Sequence, residues 1–393
     1  MRFKLYLLVI CLIGFFSCIK EIDERNNSFF GIKLDSIVPA VARVGDTVTV
    51  FGGDFTKLTG AAISINSDTA QIIAINSGKI TFIIGSPFRT GKLRLVKNTD
   101  TLDGPFIEYR YLAKVTTVAG TGSASFRDGP GGSAAFKCPW GLAMDKYNRL
   151  LVADSYNRAI RKIDFTNPTE PIVTSVSPGS LDFYSPYNLA VDTIDNTLFV
   201  TDFNKHVLKV TSGGVMSVLY PSTLLTSTGV AIGPDRMVYI SDNTGHGIIK
   251  MDQNGGNVSN VNRSIFTPRN VVFDAKGQLY TINSHVMQVK PDGSLLHFPQ
   301  QVLLPGWEFV IDTDGNFIQA DHVNNRIQKV DRATGKITII AGSGAAMDQD
   351  GTGLQASFNG PMSLVFDKAG NLYVSTYNFD TGEGNKIRKI TFE

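Results

Sequence analysis

A repeat with six copies constrains the fold of this chain more than any other feature of its sequence. Each copy contains three short apolar runs that are separated by polar turns rich in Asn, Asp and Ser. Such runs predict an antiparallel meander of β-strands, and a period of about 40 residues is typical of propeller blades. The copies begin at Pro139, Pro186, Gly229, Pro268, Pro305 and Pro361. The sequence therefore predicts an all-β fold in which residues 113–393 form a six-bladed β-propeller.

A match between two further segments predicts how the ring of blades closes. Val115–Gly122 reads Val-Thr-Thr-Val-Ala-Gly-Thr-Gly, and Ile337–Gly344, which precedes the sixth copy, reads Ile-Thr-Ile-Ile-Ala-Gly-Ser-Gly. The later segment is expected to be the outer strand of blade 5, and too few residues follow the sixth copy to give it an outer strand of its own. We therefore expect the strand around Val115–Ala119 to complete blade 6, which removes exposed sheet edges.

The residues of these copies resemble those of NHL repeats. The resemblance is carried by Pro139–Asp145, Asn148–Arg158 and Ile160–Asp164, and by the lead-in segment Asp128–Phe136. It covers residues 114–393, is strong in the first and sixth copies, and is weak in the third and fourth. It implies the propeller fold, and it keeps open a role as a protein–protein scaffold, which is the commonest use of NHL propellers.

The amino terminus has the pattern of an export signal. Residues 1–17 combine a basic start with an apolar run too short to span a bilayer comfortably. With Cys18 directly after Ser17, the pattern resembles the lipobox of bacterial lipoproteins, which implies cleavage before Cys18 and its lipidation; an ordinary secretory signal with an incidental cysteine is the alternative. The polar residues 18–31 predict a flexible tether and resemble a surface-export signal. We therefore expect a lipid-anchored protein on the outer face of the outer membrane.

Residues 32–112 lack the repeat and are expected to form a small β-sandwich. Val48, Val50 and Phe55 suit an inward face, and Gly52-Gly53 suits a bend at which φ must be positive. The segment resembles the IPT/TIG domain, which has an immunoglobulin-like fold. In exported bacterial proteins such domains are mostly spacers, so the resemblance implies a module that holds the propeller away from the membrane.

The candidate functional residues lie at one face of the predicted propeller, where each inner strand begins and the loop between its second and third strands returns. Aromatic rings at such a face can stack on sugar rings, and polar side chains can bind hydroxyl groups. The expected ligand-binding residues are Trp140, Tyr156, Arg158, Tyr187, Phe203, His206, Arg269, Trp307, His322 and Tyr377. We therefore predict that this face binds a glycan or another extracellular ligand, as an accessory to polysaccharide capture with an outer-membrane transporter as its candidate partner.

Structural roles compete with binding for several of these residues. The loop Asp of each blade can cap its own turn, Arg158 and Arg326 can bridge neighbouring blades, and each Trp can pack over the mouth of the channel. The histidines lie on different blades, and no His-x-x-x-His motif or cysteine pair indicates a metal. A net charge of +2 gives no electrostatic basis for binding nucleic acid.

An exported propeller enzyme, either a lyase or a hydrolase, is the alternative function. Six-bladed lactonases and related hydrolases hold an axial Ca²⁺ with Glu, Asn and Asp, and the candidates for such ligands are Asn188, Asn270, Asn283 and Glu308. The lyase relatives of NHL propellers need axial histidines, which this sequence does not clearly supply. Because no Gly-x-Ser-x-Gly motif or paired carboxylate motif is found, we expect a binding protein with no catalytic residue and no cofactor.

Overall fold

The computed structural model describes most of the chain, which divides into two compact units, Met1–Tyr111 and Leu112–Glu393. The described residues are 29, 31–58, 60–65, 68–85, 91–109, 112–176, 183–203, 206–221, 227–243, 247–298 and 308–392. The predicted signal peptide, Cys18 and most of the predicted tether lie outside these ranges, and so does Trp307. Within them, no helix is both long and apolar enough to cross a membrane.

Within the described ranges, the first unit contains eight strands and one 3-10 turn, Phe55–Lys57. The strands are β1 (Lys33–Val38), β2 (Val41–Ala42), β3 (Thr47–Gly53), β4 (Ala62–Ile65), β5 (Asp68–Ile75), β6 (Lys79–Ile83), β7 (Gly91–Lys97) and β8 (Asp100–Tyr109). Their hydrogen-bonded order is β1-β3-β6-β5-β4-β7-β8-β2. Neighbouring strands pair antiparallel except for β2 and β8, which are parallel.

The core of this unit is built from the inward residues that the sequence predicts. All three are fully buried, namely Val48, Val50 and Phe55. The reason predicted for the glycine pair is wrong, because neither Gly52 nor Gly53 has a positive φ. Glycine is needed at Gly52 because the backbone passes so close to the Lys33 carbonyl oxygen that a Cβ atom would collide with it.

Six antiparallel sheets, each with four principal strands, form the blades of the second unit. From inner to outer strand, blade 1 has Pro139–Met144, Leu150–Asp154, Ala159–Asp164 and Ile172–Ser175; blade 2 has Pro186–Asp192, Thr197–Asp202, His206–Val210 and Met216–Pro221; blade 3 has Ser227–Ile232, Val238–Asp242, Gly247–Met251 and Ser259–Asn262. Blade 4 has Asn270–Phe273, Leu279–Ile282, Val286–Val289 and Leu295–His297; blade 5 has Phe309–Ile311, Phe317–Asp321, Arg326–Val330 and Ile337–Ala341; blade 6 has Pro361–Phe366, Leu372–Tyr377, Gly384–Phe392 and Ala113–Ala119. The remaining elements are the short strands Gly129–Pro130 and Gly351–Thr352, which extend blades 1 and 6, and the 3-10 turns Ser155–Asn157 and Gly353–Gln355.

The blades form a closed ring, as the sequence predicts. Each inner strand contacts the inner strand of the next blade, and that of blade 6 contacts that of blade 1. Ala113–Ala119, which we call the closing strand, pairs antiparallel with Gly384–Phe392 and places Val115 opposite Ile390. The outer strand of blade 6 therefore comes from the amino-terminal side of the propeller, and the prediction for Val115–Ala119 is confirmed.

The hydrophobic core lies between the blades. Each of six apolar clusters is shared by two neighbouring blades; for example, Ala143 of blade 1 packs with Leu189 of blade 2. Because both faces of an inner or second strand are covered, a strand such as Leu150–Asp154 is buried along its whole length. This double coverage explains why the sequence shows continuous apolar runs rather than an alternating pattern.

Candidate ligand-binding site at the mouth of the propeller

Six ring-bearing side chains meet at what we call the upper face, where the inner strands begin and the loops between second and third strands lie. We call this group the mouth cluster; it consists of Trp140, Tyr156, Tyr187, His322, Tyr377 and Phe379. The residues come from blades 1, 2, 5 and 6. Five of the six are predicted from the sequence, and Phe379 is the one that sequence reasoning missed.

The inner layer of the mouth cluster is tightly packed. The indole of Trp140 lies 4.0 Å from the ring of Tyr187, measured between centroids, and 5.1 Å from that of Phe379. Trp140 is only 7 % exposed, and Tyr187 is similarly buried. The same apolar group contains Cys138 and Met362. Trp140 therefore packs over the mouth of the channel, which is the structural role that the sequence left open, and it supports the rings above it.

The outer layer of the mouth cluster is accessible to a ligand. Phe379 is 40 % exposed and stands between inner and outer rings, with its centroid 5.2 Å from Tyr377 and 5.5 Å from His322. Tyr156 is 49 % exposed and meets Tyr377 edge to face at 5.7 Å. The two exposed rings are thus held in place by buried aromatic neighbours, which reduces the conformational entropy that a ligand has to freeze out.

Burial favours the uncharged form of three side chains of the mouth cluster, Tyr187, His322 and Tyr377. Burial raises the pKa of the Tyr377 hydroxyl to about 12, and it raises the pKa of Tyr187 well above its ordinary value. Burial also lowers the pKa of His322, because the imidazolium form would lose its hydration. The cluster therefore presents uncharged rings and hydroxyl groups to a ligand.

A polar group crosses the axis beneath the mouth cluster. Asn188 of blade 2 donates a hydrogen bond from Nδ2 to Oε1 of Glu308, at the start of blade 5, over 2.8 Å. Blades 2 and 5 are opposite each other in a ring of six, so this bond spans the channel. The Ser363 hydroxyl and the Leu364 backbone N–H of blade 6 also donate to the carboxyl group. Burial nevertheless dominates and raises the pKa of Glu308 to about 7.

The axial group does not have the composition of a calcium site. Ca²⁺ takes six to eight oxygen ligands, whereas Asn188 turns its amide nitrogen toward Glu308. The Oδ1 atoms of Asn270 and Asn283 accept hydrogen bonds from the neighbouring backbone, of Val271 and His285 respectively. Among the residues that the structure describes, no three His, Cys, Asp or Glu side chains are grouped to hold a metal.

The other predicted residues of the upper face have varied surroundings. Arg158 donates from Nε to the carbonyl of Phe183 at 2.8 Å, so it links blade 1 to the segment that leads into blade 2. Phe203 is 66 % exposed in its loop, and Arg269 is half-buried and acts electrostatically on Tyr187. His206 begins a strand, but its side chain, like the whole of Trp307, lies outside the described part of the chain.

The loop aspartates of blades 1 and 2 hold the segment that leads into their own blade, and that of blade 5 caps its own turn. Asp154 accepts from the backbone N–H of Lys137 at 2.7 Å, and Asp202 accepts from that of Tyr184 at 2.9 Å. In blade 5, Asp321 accepts from the N–H of Asn324 at 3.1 Å. These carboxylates thus hold the upper loops in shape, and the aromatic rings are the groups that remain for a ligand.

No family model matches this chain. Comparison with curated proteins finds a relative. The chain is 26 % identical over 315 residues to the protein SUPPRESSOR OF QUENCHING 1, chloroplastic, of Arabidopsis thaliana. The match covers 71 % of this chain and 28 % of that protein, so the chain spans little more than a quarter of the length of this relative.

Solved structures from bacteria share the fold. A protein of unknown function from Bacteroides thetaiotaomicron has a TM-score of 0.63 and 20 % identity, covering 92 % of this chain and 98 % of its own. An auxiliary nutrient binding protein from Bacteroides ovatus has a TM-score of 0.57 and 19 % identity, with coverages of 93 % and 99 %. Virginiamycin B lyase from Staphylococcus aureus has a TM-score of 0.51 and 14 % identity, with coverages of 71 % and 99 %. At these identities the likeness establishes the six-bladed propeller and leaves the ligand open.

Proposed function

We propose that this protein is a cell-surface accessory protein that binds a carbohydrate at the mouth cluster of its propeller. The observation that carries the proposal is the pairing of two exposed rings, Tyr156 and Phe379, with buried aromatic side chains beneath them. Rings that are fixed before binding can stack against the apolar faces of sugar rings at a low entropic cost.

The charge of the site favours an uncharged glycan. The raised pKa of Tyr377 and the lowered pKa of His322 keep both side chains neutral near pH 7. An anionic ligand would gain no ion pair from these rings, whereas the hydroxyl groups of a neutral sugar can exchange hydrogen bonds with the tyrosines and with His322. The auxiliary nutrient binding proteins of similar fold support an accessory binding role.

The placement at the cell surface completes the proposal. Lipidation at Cys18 would anchor the chain in the outer membrane, and an outer-membrane transporter would take up the captured ligand. The first unit would act as an IPT/TIG spacer. Its short strands around a single apolar core are compatible with such a domain.

Removal of the exposed rings tests the proposed site. We expect Tyr156→Ala and Phe379→Ala each to weaken the retardation of the protein in polysaccharide-containing native gels, because loss of a stacking ring costs about 1 kcal/mol, or several-fold in affinity. Tyr147→Ala is the matched control, since Tyr147 is a 62 % exposed aromatic residue on the opposite face. If every neutral glycan that retards the parent retards both variants equally strongly, the mouth cluster is not the glycan-binding site.

A lyase or hydrolase is the second candidate function, and Glu308 is the observation that favours it. A carboxyl group with a pKa of about 7 can both donate and accept a proton at neutral pH. The propeller of virginiamycin B lyase has a similar fold. Cleavage of virginiamycin B or of a lactone by the protein, and loss of that cleavage in Glu308→Gln, would support this candidate. Cleavage that survives the substitution would exclude Glu308 as its acid or base.

A further inference from the structure

Two histidines of blade 4 face each other at the upper face. His285 lies just before the third strand and His297 ends the outer strand, so the two are diagonal neighbours across a strand pair in which Met287 is opposite His297. Nε2 of His285 is 3.0 Å from Nδ1 of His297, and the ring centroids are 5.2 Å apart. The side chain of His297 is exposed. The pair is therefore open to solvent and to dissolved ions.

A third residue sets the tautomer of His285. The Ser284 hydroxyl lies 3.1 Å from Nδ1 of His285. When Nδ1–H donates to this hydroxyl, the lone pair of Nε2 points toward Nδ1 of His297, which is the arrangement that a metal-binding histidine requires.

The nitrogen–nitrogen distance indicates the kind of ion that fits. Two imidazole nitrogens bound at right angles to one ion, each at about 2.1 Å, are about 3.0 Å apart, whereas a tetrahedral ion separates them by about 3.4 Å. The observed 3.0 Å between His285 and His297 equals the spacing of the right-angle geometry. The ring centroids are 5.2 Å apart, so the two nitrogens face each other directly, and each ring has to turn for both lone pairs to meet on one ion. We propose that His285 and His297 form a two-histidine chelate for a divalent transition metal ion with square or octahedral coordination, of which Cu²⁺ and Ni²⁺ are the representatives.

Binding requires a change of tautomer and a rotation of each ring. In the absence of an ion, Nδ1–H of His297 donates an N–H···N hydrogen bond to Nε2 of His285, whose own proton lies on Nδ1. When the ion binds, the proton of His297 moves from Nδ1 to Nε2, so both facing nitrogens present lone pairs to the ion and both rings remain neutral. Within the described ranges no third His, Cys, Asp or Glu completes the ligand set. Water fills the remaining positions, which makes this an exposed site of moderate affinity rather than a closed structural one.

Titration of the purified protein with Ni²⁺ tests the site. Calorimetry at pH 7.5 in a buffer that does not chelate should give one ion per chain, and His285→Ala and His297→Ala should each weaken binding at least about tenfold, because either change destroys the chelate. The loss of binding free energy in the double variant should be smaller than the sum of the two single losses, because either single variant has already lost the chelate. Ser284→Ala should weaken binding by about tenfold, because it frees the orientation of His285.

Controls separate this chelate from adventitious binding to a histidine. His246→Ala should leave Ni²⁺ affinity unchanged, and thermal unfolding should show that all variants remain folded. Cu²⁺ should bind more tightly than Ni²⁺, with electron paramagnetic resonance showing coupling to two nitrogens, and Mg²⁺ should not compete. The proposal is overturned if the single variants bind Ni²⁺ like the parent, or if the Cu²⁺ spectrum shows only one histidine nitrogen.

Discussion

Glu308 shows how one residue can be buried with its charge largely suppressed. Its carboxyl group has three donors, the Asn188 amide, the Ser363 hydroxyl and the Leu364 N–H, and each of them favours the ionised form. The loss of hydration outweighs them, so the pKa rises from 4.5 to about 7. The donors thus serve to satisfy the buried oxygens rather than to hold a full charge.

The raised pKa predicts a specific dependence of stability on pH. Between pH 4.5 and 7 the folded protein keeps a proton on Glu308 that the unfolded chain has lost, so stability falls as pH rises through this window and levels off above it. Glu308→Gln removes this proton linkage. We expect urea unfolding to show that the parent loses about 2 to 3 kcal/mol more than the variant between pH 5 and pH 8.

The control for this prediction is Glu170→Gln, which alters an exposed carboxylate in the loop between the third and outer strands of blade 1. It should leave the difference between the two pH values as it is in the parent. An equally steep fall in stability for Glu308→Gln and the parent would show that Glu308 is ionised in the folded protein at both pH values.

At the scale of strands and loops, the sequence is sufficient to predict the strands that recur from blade to blade. The inner and second strands of all six blades could be located because their buried runs recur at a regular spacing. The closing strand could be located because Val115–Ala119 matches the outer strand of blade 5 at Ile337–Ala341. The outer strand of blade 6 can be inferred from the repeat, because a blade without an outer strand would leave a sheet edge unpaired.

Features that occur in only one blade could not be predicted from the sequence. Phe379 lies in a loop, 378–383, that is longer than its counterparts, and no pattern indicates that its ring turns back over Trp140. The pairing of His285 with His297 depends on the register of the outer strand of blade 4, which the sequence does not fix. The sequence also does not determine whether Trp140 is buried or exposed, because an aromatic residue after the first Pro of a blade can either pack against its neighbours or bind a ligand.

Two matching lead-in segments explain why the repeat is strongest in blades 1 and 6. Asp128–Phe136 and Asp350–Phe358 have the same pattern, and each folds over a fully buried arginine in the third strand of its blade. Arg161 pairs with Asp128 and lies over the ring of Phe136, and Arg388 pairs with Asp350 and lies over that of Phe358. The equivalent positions of the other blades, by strand register, are Leu208, Ile249, Met287 and Gln328. The repeat motif thus records an ion pair between a buried arginine and a half-exposed aspartate, which adds to the second carboxylate that each arginine binds, Asp154 for Arg161 and Asp348 for Arg388.

For the molecule as a whole, closure of the ring is what creates the axial group and the mouth cluster. Asn188 and Glu308 are 120 positions apart, and Trp140 and Tyr377 come from the first and last blades. The closing strand contributes to the apolar layers on both sides of blade 6, with Val115 in the layer shared with blade 5 and Ala119 in the layer shared with blade 1. Asp350 accepts hydrogen bonds from both the N–H and the hydroxyl of Thr117 as well as from Arg388.

Loss of the closing strand should therefore unfold the propeller. A chain of residues 120–393 exposes the edge of Gly384–Phe392, forfeits ladder hydrogen bonds worth about 1 kcal/mol each, and empties apolar sites, a total comparable to the 5–15 kcal/mol stability of a typical domain. We expect residues 112–393 to give a cooperative thermal transition and residues 120–393 to give none. A peptide of residues 112–121 should restore the transition, and a scrambled peptide should not. If both chains melt alike, the blades stay together without this strand, because the contacts between inner strands and the apolar layers between blades then suffice.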